Sequence, residues 1–243
     1  MAQNIYDNDD FFAKYSTFRR QVEGLDGAPE WASLRAMLPD MRGLRVLDLG
    51  CGFGWFCRWA RDAGAVSAVG IDLSERMLAR AAEMTGDDGI TYLRGDLETV
   101  DLPESTFDVV YSSLAFHYVV AFERLVREIW RSLSPGGWLV CSAEHPLYTA
   151  PSRPGWITDE DGRKTWPVDS YLKEGPRTTD WLAPGVVKQH RTLGTYVNTL
   201  VGCGFVVEHV EEWGRTEEQV AEIPDMAEEW ERPTFVLVGA RRR

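Results

Sequence analysis

Between Leu44 and Glu144 the chain alternates short aliphatic, β-branched runs with stretches of helical spacing. This alternation narrows the fold more than any other feature. Strands joined through helical crossovers lie parallel, with helices on both faces of the sheet. LRVLDLG reads as a first strand, and Phe53 to Ala63 as a helix closing at Gly64. VSAVGIDL is a second strand, followed by a helix in SERMLARAAEM with Ser74 at its N-cap. ITYLRGD and FDVVYSS give strands three and four. Val119 to Leu133 predicts a helix with Leu125, Ile129 and Leu133 on one face, and SPGG then turns the chain into a fifth strand, WLVCSAE. Further on, TLGTYVNTLVGCG predicts a helix, and GFVVEHVEEW and TFVLVGARR two more strands. A chain of 243 residues suits one α/β domain with insertions better than two domains.

The pattern breaks at His145-Pro146. From there to Gln189 the chain is rich in Pro, Gly and Trp, with Trp156, Trp166 and Trp181, and GWITDEDGRKTWPV predicts a hairpin turning at Asp161-Gly162. A structureless loop of this length is unusual inside a domain, so the segment reads as a lid or substrate-binding insertion. The alternative is a plain surface excursion, which exposed tryptophans would make prone to aggregation. At the start, Phe11, Tyr15, Phe18 and Val22 fall at helical spacing behind a polar run, Asp7 to Asp10, suited to capping. The expected division is an N-terminal helical cap over 1–40, a main domain over 41–145 and 190–243, and the insertion over 146–189.

A formal net charge of −12 disfavours nucleic acid as a partner, since phosphate backbones draw proteins through basic surfaces. The terminal Arg241-Arg242-Arg243 reads as a solvated tail. No apolar run approaches the roughly 20 residues that cross a bilayer, so no membrane span is expected. The start, MAQNIYDNDDFF, lacks the basic-then-apolar order of a secretory signal, which makes a cytoplasmic location the expectation. Cys51, Cys57, Cys141 and Cys203 form no C-x-x-C pair and lie in apolar segments, as small buried residues would.

The first strand runs into a glycine-rich turn, VLDLGCGFGWF, where Gly50, Gly52 and Gly54 leave backbone N–H groups bare beside a helix N-terminus. Such a turn alone fits many nucleotides. Asp48 inside the strand would oppose a pyrophosphate and welcome a cationic ammonium group. Asp72 at the end of the next strand can accept hydrogen bonds from both ribose hydroxyls. Asp96 after the third strand can accept from an adenine amino group, with Leu97 against the ring. An adenine, a ribose and an amino-acid end without phosphate describe S-adenosylmethionine.

The blocks VLDLGCGFG, GIDLS, GD and FDVVYSSLAFHYV, in this order, resemble the class I S-adenosylmethionine-dependent methyltransferases, in particular the small-molecule branch that includes ubiquinone- and menaquinone-biosynthesis methyltransferases. The resemblance spans Gly43 to Glu144. It implies an α/β fold of three layers: a doubly wound, Rossmann-like sandwich around a seven-stranded, mostly parallel sheet with its last strand antiparallel, carrying the lid insertion. It also implies that Gly50, Cys51 and Gly52 wrap the methionine part, that Asp72 holds the ribose, and that Asp96-Leu97 binds adenine. Ser113 contributes at the methionine end, and Tyr15 and Arg19 reach the cofactor carboxylate. Asp48, Leu73 and Met77 belong to the same expected cofactor-binding set.

Transfer from a sulfonium needs an in-line nucleophile, and orientation alone can supply about 7–11 kcal/mol, so a side-chain base is optional. After the fourth strand SSLAFHY lacks the Asn/Asp-Pro-Pro-Tyr/Phe motif of DNA amino-methyltransferases, and no Pro-Cys dipeptide exists for cytosine-C5 chemistry. CSAEHP lacks the acidic pair of the magnesium-dependent catechol type, and no metal is expected. His117, His145 and His190 stand near strand ends where ligands bind in this architecture, which makes them candidate general bases; His209 lies within a late strand. Each histidine, like Glu144, could serve packing instead. The expected activity is methyl transfer to a small, aromatic or hydroxylated acceptor. Two alternatives remain open from the sequence: a non-catalytic S-adenosylmethionine-binding protein, and a nicotinamide-dependent oxidoreductase, against which Asp48 and the G-x-G-x-G spacing argue.

Overall fold

Arg45–Leu49 (β1) is buried at every residue but its first, as a strand covered on both faces must be. The computed structural model describes residues 3–221 and 228–243. Among the described residues three short α-helices precede β1: Asp9–Tyr15 (α1), Arg19–Val22 (α2) and Trp31–Met37 (α3). After it come Trp55–Asp62 (α4), Ser67–Asp72 (β2), Glu75–Glu83 (α5), Ile90–Arg94 (β3), Phe107–Ser113 (β4), Phe122–Ser132 (α6) and Leu133–Glu144 (β5). The insertion holds Pro146–Thr149 (α7), Ile157–Thr158 (β6), Lys164–Thr165 (β7), Gly175–Thr179 (β8) and Val186–His190 (β9). Leu193–Gly202 (α8), Phe205–Trp213 (β10), Glu217–Ala221 (α9) and Phe235–Arg242 (β11) complete the chain.

The main sheet has seven strands in the order β10-β11-β5-β4-β1-β2-β3. β11 is antiparallel to both of its neighbours, and the remaining pairs are parallel. One face packs Leu125, Val126 and Ile129 of α6 and Leu200 of α8 against Leu47, Val110 and Leu139. The other packs Trp31 and Leu34 of α3 and Phe56, Cys57 and Ala60 of α4 against Val46, Val109 and Val140. This is the expected three-layer doubly wound sandwich, and its ladder places the C-terminal ends of β1, β2, β4 and β5 along one rim.

Four local features differ from the sequence reading. The SPGG turn is absorbed into β5, where pairing with β4 jumps from Phe107–Leu133 to Val109–Trp138 and Gly136 takes φ +80°. α6 starts at Phe122, because Phe116–Tyr118 forms a 3-10 turn and the Glu98 carboxylate accepts from Val120 N and Ala121 N. The N-terminal stripe is two helices: Asn8 caps α1 through Phe11 N (3.0 Å), and the chain breaks before α2, leaving Val22 65% exposed. Two of the three terminal arginines are anchored, with the Arg242 guanidinium 4.1 Å over Trp130 and bonded to Arg131 O (3.0 Å), and Arg241 over Trp138.

In the insertion the expected hairpin pairs Ile157 with Thr165 and Thr158 with Lys164, around Gly162 at φ +81°. A second hairpin, β8–β9, pairs Gly175 with His190 and Thr179 with Val186. Trp166 Nε1 donates to Leu147 O (2.8 Å) and its ring stacks on Tyr148, tying the first hairpin to α7. Cys51, Cys57 and Cys141 are buried, whereas Cys203 is partly exposed.

Candidate active site

The glycine turn after β1 is tied to the end of β2, with Gly50 N and Cys51 N both donating to Ile71 O (2.8 and 3.1 Å). Gly50 adopts φ +78°, and a Cβ there would meet the Ala115 Cβ at 2.5 Å. Gly52, at φ +52°, is different: a Cβ would meet nothing within 4 Å, so its bare backbone faces open space. Asp72 braces it, one carboxylate oxygen accepting from Gly52 N and the other from Ser74 N (2.9 Å each). Each oxygen keeps a further lone pair for a ligand. Burial raises the Asp72 pKa against the two backbone N–H donors.

These residues line a cleft of about 110 Å³. Gly50, Gly52, Asp72, Leu73, Met77, Asp96, Leu97 and Ser113 line it from the strand-end side, together with Asn4, Tyr6, Tyr15 and Tyr118. Tyr6 and Tyr118 meet through their hydroxyls at 3.3 Å. Behind the turn lies a smaller hollow of about 80 Å³, lined by Tyr15, Arg20, Asp48, Cys51 and Ser113. Asp48 is 3% exposed there, and burial, then the Asp72 charge, push its pKa up to about 8. Arg20 pairs with the buried Glu30 (2.7 Å). Together the two spaces offer a carboxylate for hydroxyls, an apolar slot beside Asp96, and a charged end, which fits S-adenosylmethionine. Of the expected cofactor set, all but Arg19 line one or both; Arg19 bonds Glu23 (2.9 Å) and lines the next cavity outward, while its neighbour Arg20 lines the smaller hollow.

That next cavity, of about 510 Å³, shares Tyr6, Tyr15, Leu114 and Tyr118 with the cleft. Its walls add Phe18, His117, Glu144, Tyr148, Trp181 and Phe235, with Arg215 and Thr234. Leu114 at the junction takes φ +56°, a left-handed conformation unusual for a residue with a Cβ. Ser142 holds it there, accepting from Leu114 N with both its carbonyl (3.0 Å) and its hydroxyl (3.2 Å). A third cavity of about 640 Å³ lies in the insertion and shares Glu144, Tyr148 and Trp181 with the second. Between them Lys188, 3% exposed, pairs with Glu144 and sits 4.7 Å over the Trp181 ring. The second Glu144 oxygen, Oε2, is buried with no hydrogen-bond partner among the described residues.

Residues 47–141 match the family described as Methyltransferase domain. The crystal structure of an S-adenosylmethionine dependent methyltransferase from Mesorhizobium loti is similar at 60% identity and TM-score 0.86, covering 90% of this chain and 100% of that one. The chain belongs to the S-adenosylmethionine-dependent methyltransferases. A putative S-adenosylmethionine dependent methyltransferase from Listeria monocytogenes is 40% identical, with TM-score 0.82 over 89% of this chain and 99% of its own. An uncharacterized Haemophilus influenzae protein is 32% identical across 98% of this chain and 97% of its own. A malonyl-[acyl-carrier protein] O-methyltransferase from Pectobacterium atrosepticum is 42% identical over only 43% of this chain and 40% of its own.

In this methyltransferase the three candidate histidines share one property: each has its accepting nitrogen occupied. His145 caps α7, its Nδ1 accepting from Leu147 N (3.0 Å) while Nε2 donates to Glu212 (2.9 Å). His190 Nε2 donates to Tyr171 O (2.8 Å), which leaves Nδ1 to accept from the Thr149 hydroxyl (2.7 Å). Neither lines the cleft or the two outer cavities. His117 does line the second cavity, but its Nδ1 accepts from Glu144 N (3.3 Å), so in the neutral ring the proton resides on Nε2. Burial lowers the His117 pKa to about 4, which keeps it neutral. Neutral His117 thus has Nε2 as its donor, and His209 is exposed on β10, its Nε2 3.7 Å from Glu211. Among the described residues, no group of three or more His, Cys, Asp or Glu could hold a metal ion, and no helix is long and apolar enough to cross a membrane. Tyr6, Arg20 and Tyr118 escaped the sequence reading, although Tyr118 directly follows His117 in the matched block.

Proposed function

We propose that this methyltransferase methylates an oxygen of a small aromatic or hydroxylated acceptor lodged between the rim of the sheet and the insertion. The observation that carries this reading is the shared wall: Leu114, Tyr118, Tyr15 and Tyr6 border both the cofactor cleft and an aromatic cavity. An acceptor stacked on Tyr148 or Trp181 could then aim an oxygen at the cleft while water is kept out. Oxygen is also the atom named for several partial relatives, the malonyl-[acyl-carrier protein] and fatty-acid O-methyltransferases. Their matches cover 40% and 41% of those proteins, and a sterol 24-C-methyltransferase matches over 46% of its own length, so the choice of oxygen rests on the cavity and not on these names.

In this reading Asp72 accepts from the ribose hydroxyls, Asp96 and Leu97 border the adenine with Leu73 and Met77, and Gly52 gives the close approach. Gly50, Cys51 and Ser113 border the methionine end, Asp48 faces its ammonium, and Tyr15 and Arg20 lie toward its carboxylate. The bound cofactor supplies an electrophilic methyl group on a sulfonium. The chain's own contribution is mostly orientation. His117 Nε2 donates to the acceptor, and the unpartnered Glu144 Oε2 accepts the hydroxyl hydrogen, giving the proton somewhere to go. The test is a panel of phenols and matched anilines with methyl-labelled S-adenosylmethionine. Labelling of phenols is expected. Labelling of anilines alone, with S-adenosylhomocysteine still bound, would refute the reading.

A further inference from the structure

The insertion cavity holds a buried cation whose donors are not used up. Arg232 is 6% exposed and lines this cavity. Its Nη2 donates to Glu229 (2.6 Å), but Nε and Nη1 are buried with no hydrogen-bond partner among the described residues. The guanidinium carbon lies 4.0 Å from the Trp166 ring centre, 4.7 Å from Tyr148 and 5.4 Å from Trp156. Those ring faces favour the charge but cannot accept the in-plane N–H hydrogens. Leaving buried charged donors unmade is costly, and an anion meeting them forms short, charge-assisted bonds.

The wider charge balance agrees. In a chain with net charge −12, the described walls of this cavity gather four cations, Lys173, Arg177, Lys188 and Arg232, against three carboxylates. Glu144 and Glu229 among those carboxylates are already paired with Lys188 and Arg232. The cavity also continues into the aromatic one through Glu144, Tyr148 and Trp181.

Resting on the reading above, we propose that Arg232 anchors a carboxylate on the end of the acceptor remote from the methylated oxygen. The acceptor is then an aromatic acid, with its ring along Tyr148 and Trp181 and its carboxylate meeting an unpaired in-plane N–H of the Arg232 guanidinium. A phenolic acid such as 4-hydroxyphenylacetate and its neutral twin, 4-hydroxyphenylacetamide, separate this from plain aromatic binding. Calorimetric titration of the full chain with S-adenosylhomocysteine present is expected to show the acid binding at least about tenfold more tightly than the amide. Arg232→Gln should erase that preference with cofactor affinity unchanged, and Arg232→Lys should keep part of it.

Equal or tighter binding of the amide by the unaltered protein overturns the proposal, as does no binding of either compound. A preference that survives in Arg232→Gln overturns it too. The acid–amide comparison needs no variant, so a misfolded Arg232→Gln protein leaves it decisive. Methylation of neutral phenols without any acid preference would sink the anchor alone. Acid preference with anilines as the only labelled acceptors would sink the reading of oxygen transfer alone.

Discussion

Replacing Asp72 with alanine removes two kinds of support at once. The carboxylate braces Gly52 N and Ser74 N at 2.9 Å each, and its remaining lone pairs face the cleft. Two ribose hydroxyls donating to a charged acceptor contribute about 1.5–3 kcal/mol each before water refills the gap. Part of that sum is recovered by solvent, so the expected loss is at least about 1.4 kcal/mol, or tenfold in Kd, and up to about 3 kcal/mol if Gly52 also shifts. Calorimetric titration with S-adenosylhomocysteine measures it directly, and a circular dichroism melt checks that the sheet is intact. Asp72→Asn adds a second arm, since its NH₂ must oppose one of the two backbone N–H donors and should cost nearly as much. Affinity changed less than about threefold in both folded variants would refute the ribose role.

Asp48→Asn should raise stability in the cofactor-free protein, increasingly so at higher pH. The buried Asp48 has its pKa raised from 3.8 to about 8, so its contribution is full below the unfolded value and is lost as pH climbs through 8. The variant escapes that loss, so the two unfolding free energies from urea titration should diverge by about 1.4 kcal/mol per pH unit between the unfolded and folded pKa; parallel curves would refute it. His117 behaves in the opposite sense: its pKa is lowered from 6.5 to about 4, so stability held above 6.5 is lost as pH falls toward 4. Over that window the loss is on the order of 3 kcal/mol, and urea unfolding of His117→Asn should lack it. His145→Ala should cost about 1–2 kcal/mol of stability through the lost cap and the Glu212 bond, with kcat of the folded enzyme kept. A drop in kcat at an unchanged melting midpoint would return His145 to the role of base.

The sheet was legible because its signals are local and periodic. Each strand carries its own apolar run, and the carboxylates of the cleft fall at strand ends fixed by those runs. Arg19 illustrates where such reasoning stops. At ideal helical spacing it would stand one turn beyond Tyr15, but Thr17 N and Phe18 N bond back to Lys14 O and Tyr15 O, and the break rotates Arg20 inward instead. The histidines were found on the right rim, yet their roles depend on which backbone N–H meets each ring, and no spacing encodes that. The β8–β9 hairpin went unseen because GPRTT and VVKQH lack a clean alternation of polar and apolar residues. Arg232 carries no sequence signature at all, since its cage is assembled from Tyr148, Trp156 and Trp166 far along the chain.

None of the seven strands of the main sheet comes from residues 146–190, whose short strands pair only with one another. The two ends of that segment are stapled together, by Lys188 to Glu144 and by His190 to Thr149. Such a segment is a cassette: descendants could lengthen, shorten or replace it while every ladder of the sheet keeps its register. Relatives should therefore diverge fastest within it, and a family match that spans residues 47–141 and stops just short of it is the pattern that a stable chassis with an exchangeable cassette leaves behind.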